Sequence, residues 1–453
     1  MQSIALSRSL FGRARSFLIF ASLVGGRMAL AGNALGQEPP PPPPIAAHGP
    51  EALPTAEHGR VTTSLHELIQ EAEQKNPQIT ASFHAWQASR DVPKQASALP
   101  ETQFSVQQFS VGSPRPFAGY SNSDFAYIGF GVSQDLPYPG KRQLRGRVAE
   151  HEAESMEAQT DSVRRTIVAN LKRVYFQLAY IQQTLVVLLK SDELLNQVQG
   201  AAEARYRVGQ GNQQDVLKAQ LQRTKLLQEI AHHHQEEGLL EAQIKQLLGR
   251  PQESPDIVTE PLAARALPYA VAELLQRARE QNPNVRAKEA STRQKDAQVE
   301  LAHKNFRPDF SLQYMYEHNA SQFRDYYVAI FGIRLPNRGR QKAELAEAQQ
   351  NEQRAQRELD SESQRVLSEV QQQYVLAKAS EDRLKIYTDG LIPQSAAAFQ
   401  SGLAAYQSNR QDFESLLSSF LDVLNLDLEY RNELVEHESA LAELERLTRV
   451  DLP

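Results

Sequence analysis

The sequence predicts an α+β chain, mostly α, in which one unit occurs twice: a short helix, a hairpin of two strands, and a hairpin of very long helices. Three observations predict it. Four stretches of about ten residues alternate between apolar and small or polar positions, as strands do. A helical period then runs for about sixty residues without a proline. Finally, several segments recur about 200 residues later in the chain, which marks an internal duplication.

The composition sets the bounds. A chain of 453 residues is long enough for two or three ordinary domains, yet only 41% of it is hydrophobic and 7% aromatic. Most elements are therefore amphipathic, with one wet face. The 49 basic and 55 acidic residues are mixed along the chain, for a net charge of -6, so nucleic acid is not an expected partner. There is no cysteine. Disulfides, thiolate metal sites and a lipid-modified N-terminal cysteine are excluded.

Residues 1–36 read as a signal peptide: Arg8, Arg13 and Arg15 precede the apolar run from Phe17 to Val24, and small residues follow at Ala31, Ala34 and Gly36. Arg27 interrupts this order, and cleavage is expected between Ala31 and Gln37. Residues 37–60 are a proline-rich linker, stiff and extended through Pro39 to Pro44. No later stretch has the roughly 20 apolar residues of a membrane helix. An exported chain of this kind is periplasmic, secreted, or a β-barrel of the outer membrane.

The first unit spans 61–250. Ser64 can cap a helix that carries Leu65, Leu68, Ile69 and Ala72 on one face, with Asn76-Pro77 interrupting it before residue 90. Strands are expected at 102–111 and 125–134; in the second, Ala126, Ile128, Phe130 and Val132 alternate with Gly129, Gly131 and Ser133. The joint QDLPYPGKRQLR from Gln134 then changes the period: Pro137, Pro139 and Gly140 end the strand, and Lys141 and Arg142 begin a helix. Its stripe runs through Val148, Met156, Val163, Ile167, Leu171, Val174, Leu178, Ile181, Leu185 and Leu188, mostly at steps of three, four or seven. Sixty such residues reach roughly 90 Å. Gly209 and Gly211 break it, and a returning helix from Gln213 to Leu248 closes at Gly249-Arg250-Pro251.

Residues 251–268, with four prolines, link the halves, and the second unit spans 269–448. QEAEQKNPQI from Gln70 returns as QRAREQNPNV from Gln276, and FSVQQF from Phe104 as FSLQYM from Phe310, both 206 residues later. Strand YYVAIFGIRL from Tyr326 leads to a second joint at Pro336, Arg338, Gly339 and Arg340, offset by 199. A long helix is expected from Gln341 to Tyr387 and a last one from Pro393 to Leu447, with the break after Tyr206 answered by one after Tyr406.

Four strands of membrane length cannot close a barrel, and open edges in lipid leave backbone groups unpaired. Copies of the chain must therefore share a wall, which the long helices extend as a tube.

These features resemble the TolC family of outer-membrane efflux factors: the duplication, the Asn-Pro in each first helix, the LPYPGKRQLR joint, and the turns after Tyr206 and Tyr406. The resemblance covers residues 61–448, and the PGKR form of the joint is similar to the branch that exports heavy-metal cations. It implies a TolC-like outer-membrane β-barrel, four strands per subunit and twelve in a homotrimer, continued by a periplasmic α-helical barrel. The implied partners are outer-membrane lipid, a periplasmic adaptor (membrane fusion protein) and an inner-membrane RND-type pump. The subunit is then a passive duct, with no enzymatic activity, cofactor or resident metal. A periplasmic coiled-coil scaffold or adaptor is the alternative; it accounts for the helices and leaves the strands unexplained. A periplasmic metal-binding protein is a third reading.

The resemblance also implies site residues. A tyrosine to aspartate hydrogen bond holds the periplasmic mouth shut in the family, and the matching positions are Tyr406 and Asp215; the plainer reading has Tyr406 packing and Asp215 capping a helix. The acids of the narrowest ring fall here on Ser415 and Ser418, so a cation-selective ring must use Asp412, Glu414 or Asp422, unless these simply line a solvated face. Gly140, Lys141 and Arg142 lack the spacing of a phosphate loop and are read as a hinge whose basic residues lie beside anionic groups at the membrane surface, with Arg338 and Arg340 repeating the arrangement. His232, His233 and His234 point three ways on a helix, a poor metal site, and Trp86 is read as packing. The loops at 112–124 and 318–325 face the outside.

Overall fold

The computed structural model describes residues 62–110, 126–319, 325–408 and 410–451. The signal peptide, the proline-rich linker, the loop at 112–124 and the centre of the loop at 318–325 lie outside the described residues.

The first unit contains α1 (Leu65–Lys75), α2 (Pro77–Ser89), α3 (Val92–Ser97), β1 (Gln103–Phe109), β2 (Tyr127–Leu136), α4 (Lys141–Arg207) and α5 (Gln213–Leu248). The second contains α6 (Val271–Gln281), α7 (Pro283–Lys304), β3 (Asp309–Asn319), β4 (Asp325–Arg334), α8 (Arg338–Ile386), α9 (Ile392–Gln407) and α10 (Phe413–Thr448). At 67 residues α4 is roughly 100 Å long.

The Asn-Pro pairs divide helices rather than kink them. Asn76 accepts from the backbone N–H groups of Gln78 and Ile79 at 2.8 and 3.1 Å, with Pro77 in the first turn where no donor is needed. Its amide then donates to the carbonyl of Leu247, in the last turn of α5, at 2.7 Å. Asn282 repeats this: it caps α7 through Asn284 and Val285, and donates to Leu447 in the last turn of α10 at 3.0 Å. Both are buried. Each Asn thus satisfies orphan groups at one helix start and one helix end.

The two units differ in two places. α7 runs unbroken for 22 residues, whereas its counterpart α2 stops at Ser89 and α3 follows. Pro93 explains the break, because it has no N–H to offer the carbonyl of Ser89 one turn earlier. The loop expected between Tyr387 and Pro393 is absent. Helix continues from α8 into α9 through a π turn at Tyr387–Leu391, where the missing N–H of Pro393 shifts the hydrogen-bond register.

Strands β1 to β4 form one antiparallel sheet in that order, so β1 and β4 are its edges. The long helices pack around four apolar clusters. One holds α1, α4 and α5 together through Leu68, Leu171, Val174, Leu178, Ile244 and Leu248, and its counterpart in the second unit uses Leu274, Val366, Val370, Leu441, Leu444 and Leu447. A third, around Leu188, Leu226 and Leu424, lies farther along α4, α5 and α10. A fourth joins the far ends of α4, α5, α9 and α10 through Leu195, Val198, Phe399, Tyr406, Phe413 and Leu416. The linker between the units is strapped across α4: Gln182 accepts from the N–H of Thr259 at 3.0 Å and donates to the Ile257 carbonyl at 2.8 Å, and Tyr175 accepts from the N–H of Glu260 at 2.9 Å.

Candidate functional site

The sheet has two unlike faces. Pairing register puts Phe104, Val106, Ile128, Phe130, Val132, Phe310, Leu312, Tyr314, Tyr327, Phe331 and Ile333 on one side. On the other lie Gln103, Ser105, Gln107, Gly129, Gly131, Ser133, Asp135, Ser311, Gln313, Glu317 and Gly332, with a smaller apolar group at Phe109, Tyr127, Met315, Tyr326, Val328 and Ile330. Large apolar side chains on the first face stand exposed, Phe104 at 83%. A sheet with one face of large exposed apolar side chains and a second on which small and polar residues predominate suits lipid on one side and water on the other. Gly131 and Gly332 face Ser105 and Ser311 on the neighbouring strands, where a Cβ would crowd the serine hydroxyl in its present rotamer.

The joints connect this sheet to the helices, and they are not equivalent. Gly140 adopts φ 94°, a conformation open to glycine, and caps α4 from outside. Lys141 is 3% exposed. Its ammonium donates to Asp309 at the start of β3 at 2.8 Å and to the Arg307 carbonyl at 2.9 Å, while the N–H of Tyr138 donates to the same carboxylate at 2.8 Å. Arg142 donates to the Ser97 carbonyl at the end of α3, at 2.9 Å. Lys141 is thus paired inside the chain, which corrects the expectation that it meets anionic groups at the membrane surface; burial makes the internal carboxylate necessary.

At the second joint Gly339 lies inside α8, without positive φ. The cap is Asn337, which accepts from Gly339 and Arg340 at 3.0 and 3.3 Å. Arg340 pairs with Glu344 at 2.7 Å on an exposed face. The structural match of Gly131 with Gly332 sets the strands 201 residues apart, whereas the helices start 197 apart, at Lys141 and Arg338. From glycine to helix the second half is therefore four residues shorter, three of them in the strand: residues 137–140 connect the first joint and 335–337 the second, and Gly140 and Gly339 share only their sequence context.

At the opposite end of the helices, the turn between α4 and α5 meets the turn between α9 and α10. Gly209, at φ 72°, ends α4, and Gln210 donates its N–H back to the Arg205 carbonyl at 2.9 Å. Tyr406 is 1% exposed, edge-on to Phe413. Its hydroxyl makes no hydrogen bond among the described residues, so the expected bond to Asp215 is not made here. Burial pushes the Tyr406 phenol above its ordinary range; Arg205 opposes that shift, and the nearby Asp215 charge adds to it. The group on Tyr406 is Arg205, which sequence reasoning missed. Its guanidinium lies 4.4 Å from the ring centre and donates to the Tyr406 carbonyl at 3.0 Å and the Gln210 carbonyl at 3.1 Å.

The three candidate acids take separate places. Asp412 is the N-cap of α10, accepting from the N–H and the hydroxyl of Ser415, both at 2.8 Å, and these bonds hold its carboxyl below the usual range. Glu414 pairs with Lys218 of α5 at 3.0 Å. Asp422 is exposed and continues the polar stripe of Ser415 and Ser418 toward Asn425 and Glu429. His232 and His233 both meet Glu236, at 3.3 and 2.8 Å, and His234 meets Glu237 at 3.4 Å. Among the described residues no cluster of three or more histidines or acids is arranged to hold a metal ion, and no helix is long and apolar enough to cross a membrane. Trp86 is half-buried, with Arg90 over its ring at 5.3 Å and Phe83 edge-on.

No curated protein matches the sequence. The family model for outer membrane efflux proteins matches residues 68–250 and 274–444. Among solved structures, the chain is similar to the outer-membrane channel OprN, with a TM-score of 0.74 at 19% identity over 85% of this chain and 89% of that one. CusC gives a TM-score of 0.74 at 18% identity over 86% and 92% of the two chains. VceC of Vibrio cholerae gives 0.71 at 19% identity over 85% and 95%.

Proposed function

Because the chain belongs to the outer membrane efflux protein family, we propose that it works as a homotrimer, the passive exit duct of a tripartite export system, fed by a periplasmic adaptor and an inner-membrane RND-type pump. That it is an efflux channel of the outer membrane, and not an enzyme, follows from the family itself. The trimer, the partners and the cargo are our reading.

One observation carries the trimer. The two units meet within the chain through β2 on β3 and through α4 on α7. The duplication calls for the same contacts again, β4 on β1 and α8 on α2, yet β1 and β4 are free edges and Phe83 on α2 is 43% exposed. A neighbouring copy supplies them, and three copies bring twelve strands to one barrel. Carrying the β2 to β3 register across, Gln134 opposite Leu312 becomes Leu335 opposite Val106 of the next copy. The absence of cysteine makes the test clean. The variant with Val106→Cys and Leu335→Cys, oxidised in membranes, should give covalent trimers, and Val106→Cys with Arg334→Cys should not. A soluble monomer would favour the scaffold reading instead.

For the cargo we propose heavy-metal cations, on the PGKR form of the first joint. A strain lacking the protein should then lose resistance to cobalt, zinc or cadmium. Sensitivity to organic compounds with unchanged metal resistance would overturn this cargo and leave the duct intact.

A further inference from the structure

The linker between the units is fastened at both ends, and the far fastening turns on one buried histidine. Its first part lies on α4 and α5, held by Gln182, by Tyr175 and by the Lys245 ammonium, which donates to the Gln252 carbonyl at 3.2 Å. At Arg265 it crosses onto α10 and α8. The backbone N–H and the guanidinium of Arg265 both donate to Glu438, at 2.8 and 2.6 Å, and the guanidinium also donates to Glu445 at 3.1 Å. His437 of α10 is packed into this crossing at 0% exposure. Its Nε2 stands 2.7 Å from the Arg265 carbonyl oxygen, and its Nδ1 3.1 Å from that of Ala377 on α8.

A carbonyl oxygen only accepts. A neutral imidazole has a single N–H, so it serves one of these carbonyls and turns a lone pair toward the other. At full burial, water cannot make good the lost bond. Only a ring with a proton on each nitrogen donates in both directions, one bond to the linker and one to α8. The charged groups around the crossing are engaged with one another. On α10, Glu433 and Glu436 meet Arg383 of α8 at 2.6 and 3.9 Å, Glu438 and Glu445 meet Arg265 of the linker, and Glu445 also meets Lys172 of α4. On α8, Lys378 meets Glu381 at 2.7 Å and donates to the Leu267 carbonyl of the linker at 3.4 Å.

We propose that His437 is a pH-sensitive latch: with both ring nitrogens protonated it locks the end of the linker to α8 and α10, and on losing one proton it releases it. The sign follows from the bonds. The doubly protonated ring makes a hydrogen bond in the folded chain that the neutral ring lacks, so the latch is closed at low pH and opens as pH rises through the histidine range, about pH 5 to 8. Every contact lies within one chain, so the latch does not depend on the trimer described above.

Trypsin reads the latch directly, because the bond it cuts follows Arg265. Cleavage of the purified full-length chain at this site is compared with cleavage of a free peptide of residues 260–270, which corrects for the protease's own response to pH. Protection of the wild type should fall at least about tenfold from about pH 6 to about pH 8, the worth of one charge-assisted hydrogen bond. His437→Gln, whose amide donates from one side only, should be weakly protected at both values. Glu241 on α5, with its carboxyl pushed up to about 7, interacts with Asp256 near the other end of the linker, and Glu241→Gln should leave the fall at Arg265 in place. Three results would overturn the proposal: wild-type protection that is equal at the two pH values, a fall that persists in His437→Gln, or a fall that disappears in Glu241→Gln. The first needs no variant, so it decides even where a substitution prevents folding.

Discussion

Lys141, buried in the first turn of α4, places its ammonium 2.8 Å from the carboxylate of Asp309, the first residue of β3. One ion pair thus binds the strand-to-helix joint of the first unit to the helix-to-strand joint of the second. Removing one partner leaves the other charge uncompensated in a low-dielectric site, at a cost of roughly 2–4 kcal/mol. Lys141→Met should therefore lower the temperature at which trimers dissociate on unheated gels, and Lys141→Arg should recover part of the loss. Dissociation unchanged in Lys141→Met would mean that solvent reaches the pair.

Asn76 and Asn282 make a second prediction. Each caps one helix and donates to the end of another. Ala at either position removes a cap and a buried hydrogen bond, together about 2 kcal/mol. Asp keeps the cap and loses the donor, so Asn282→Asp should fall between wild type and Asn282→Ala in urea unfolding. Equal loss for Asp and Ala would show that the bond to Leu447 carries the effect.

The fold was readable because its signals are local. Period two in the strands, unbroken period three to four in α4, Gly209 and Gly249 after helix ends, and the recurrence of Asn-Pro all lie in short windows of sequence. The mouth was only partly readable, since Arg205 acts on Tyr406 across the two units, and a lone arginine in a charged helix carries no mark of its target. The role of Asp412 was legible locally: it stands just before the apolar period of α10, where an acid accepts from the first free N–H groups, as it does from Ser415. The π turn left only a trace, Pro393 within an otherwise continuous helical pattern.

The joints give a paired prediction. Gly140 sits at φ 94°, where a β-branched residue is strained by at least about 1–2 kcal/mol, so Gly140→Val should reduce the yield of assembled trimers. Gly339 has helical backbone in the second turn-forming segment of the joint, and Gly339→Ala should raise stability by up to about 1 kcal/mol. Sequence context alone would have made the two glycines equivalent. Similar losses at both would restore that view.

The last prediction concerns pH. Glu241 on α5 has its carboxyl pushed up to about 7, first by burial and then by the charge of Asp256 and Glu237, with Lys245 pulling the other way. Lys245 is itself engaged at 3.4 Å with Asp256 on the linker, so Glu241 shares this cation with a second carboxylate. Its value in the unfolded chain is about 4.5. Between these two values the folded protein holds a proton that the unfolded chain has released. Stability from this group is therefore greatest below about pH 4.5 and falls as pH rises through about 7. Partial exposure keeps the loss to about 1–2 kcal/mol. Glu241→Gln cannot ionise, so it should unfold at higher urea than wild type at pH 8 and at nearly the same urea at pH 5. The difference between the proteins should grow across pH 5 to 8; a constant offset would show that packing, not the proton, sets the cost at this position.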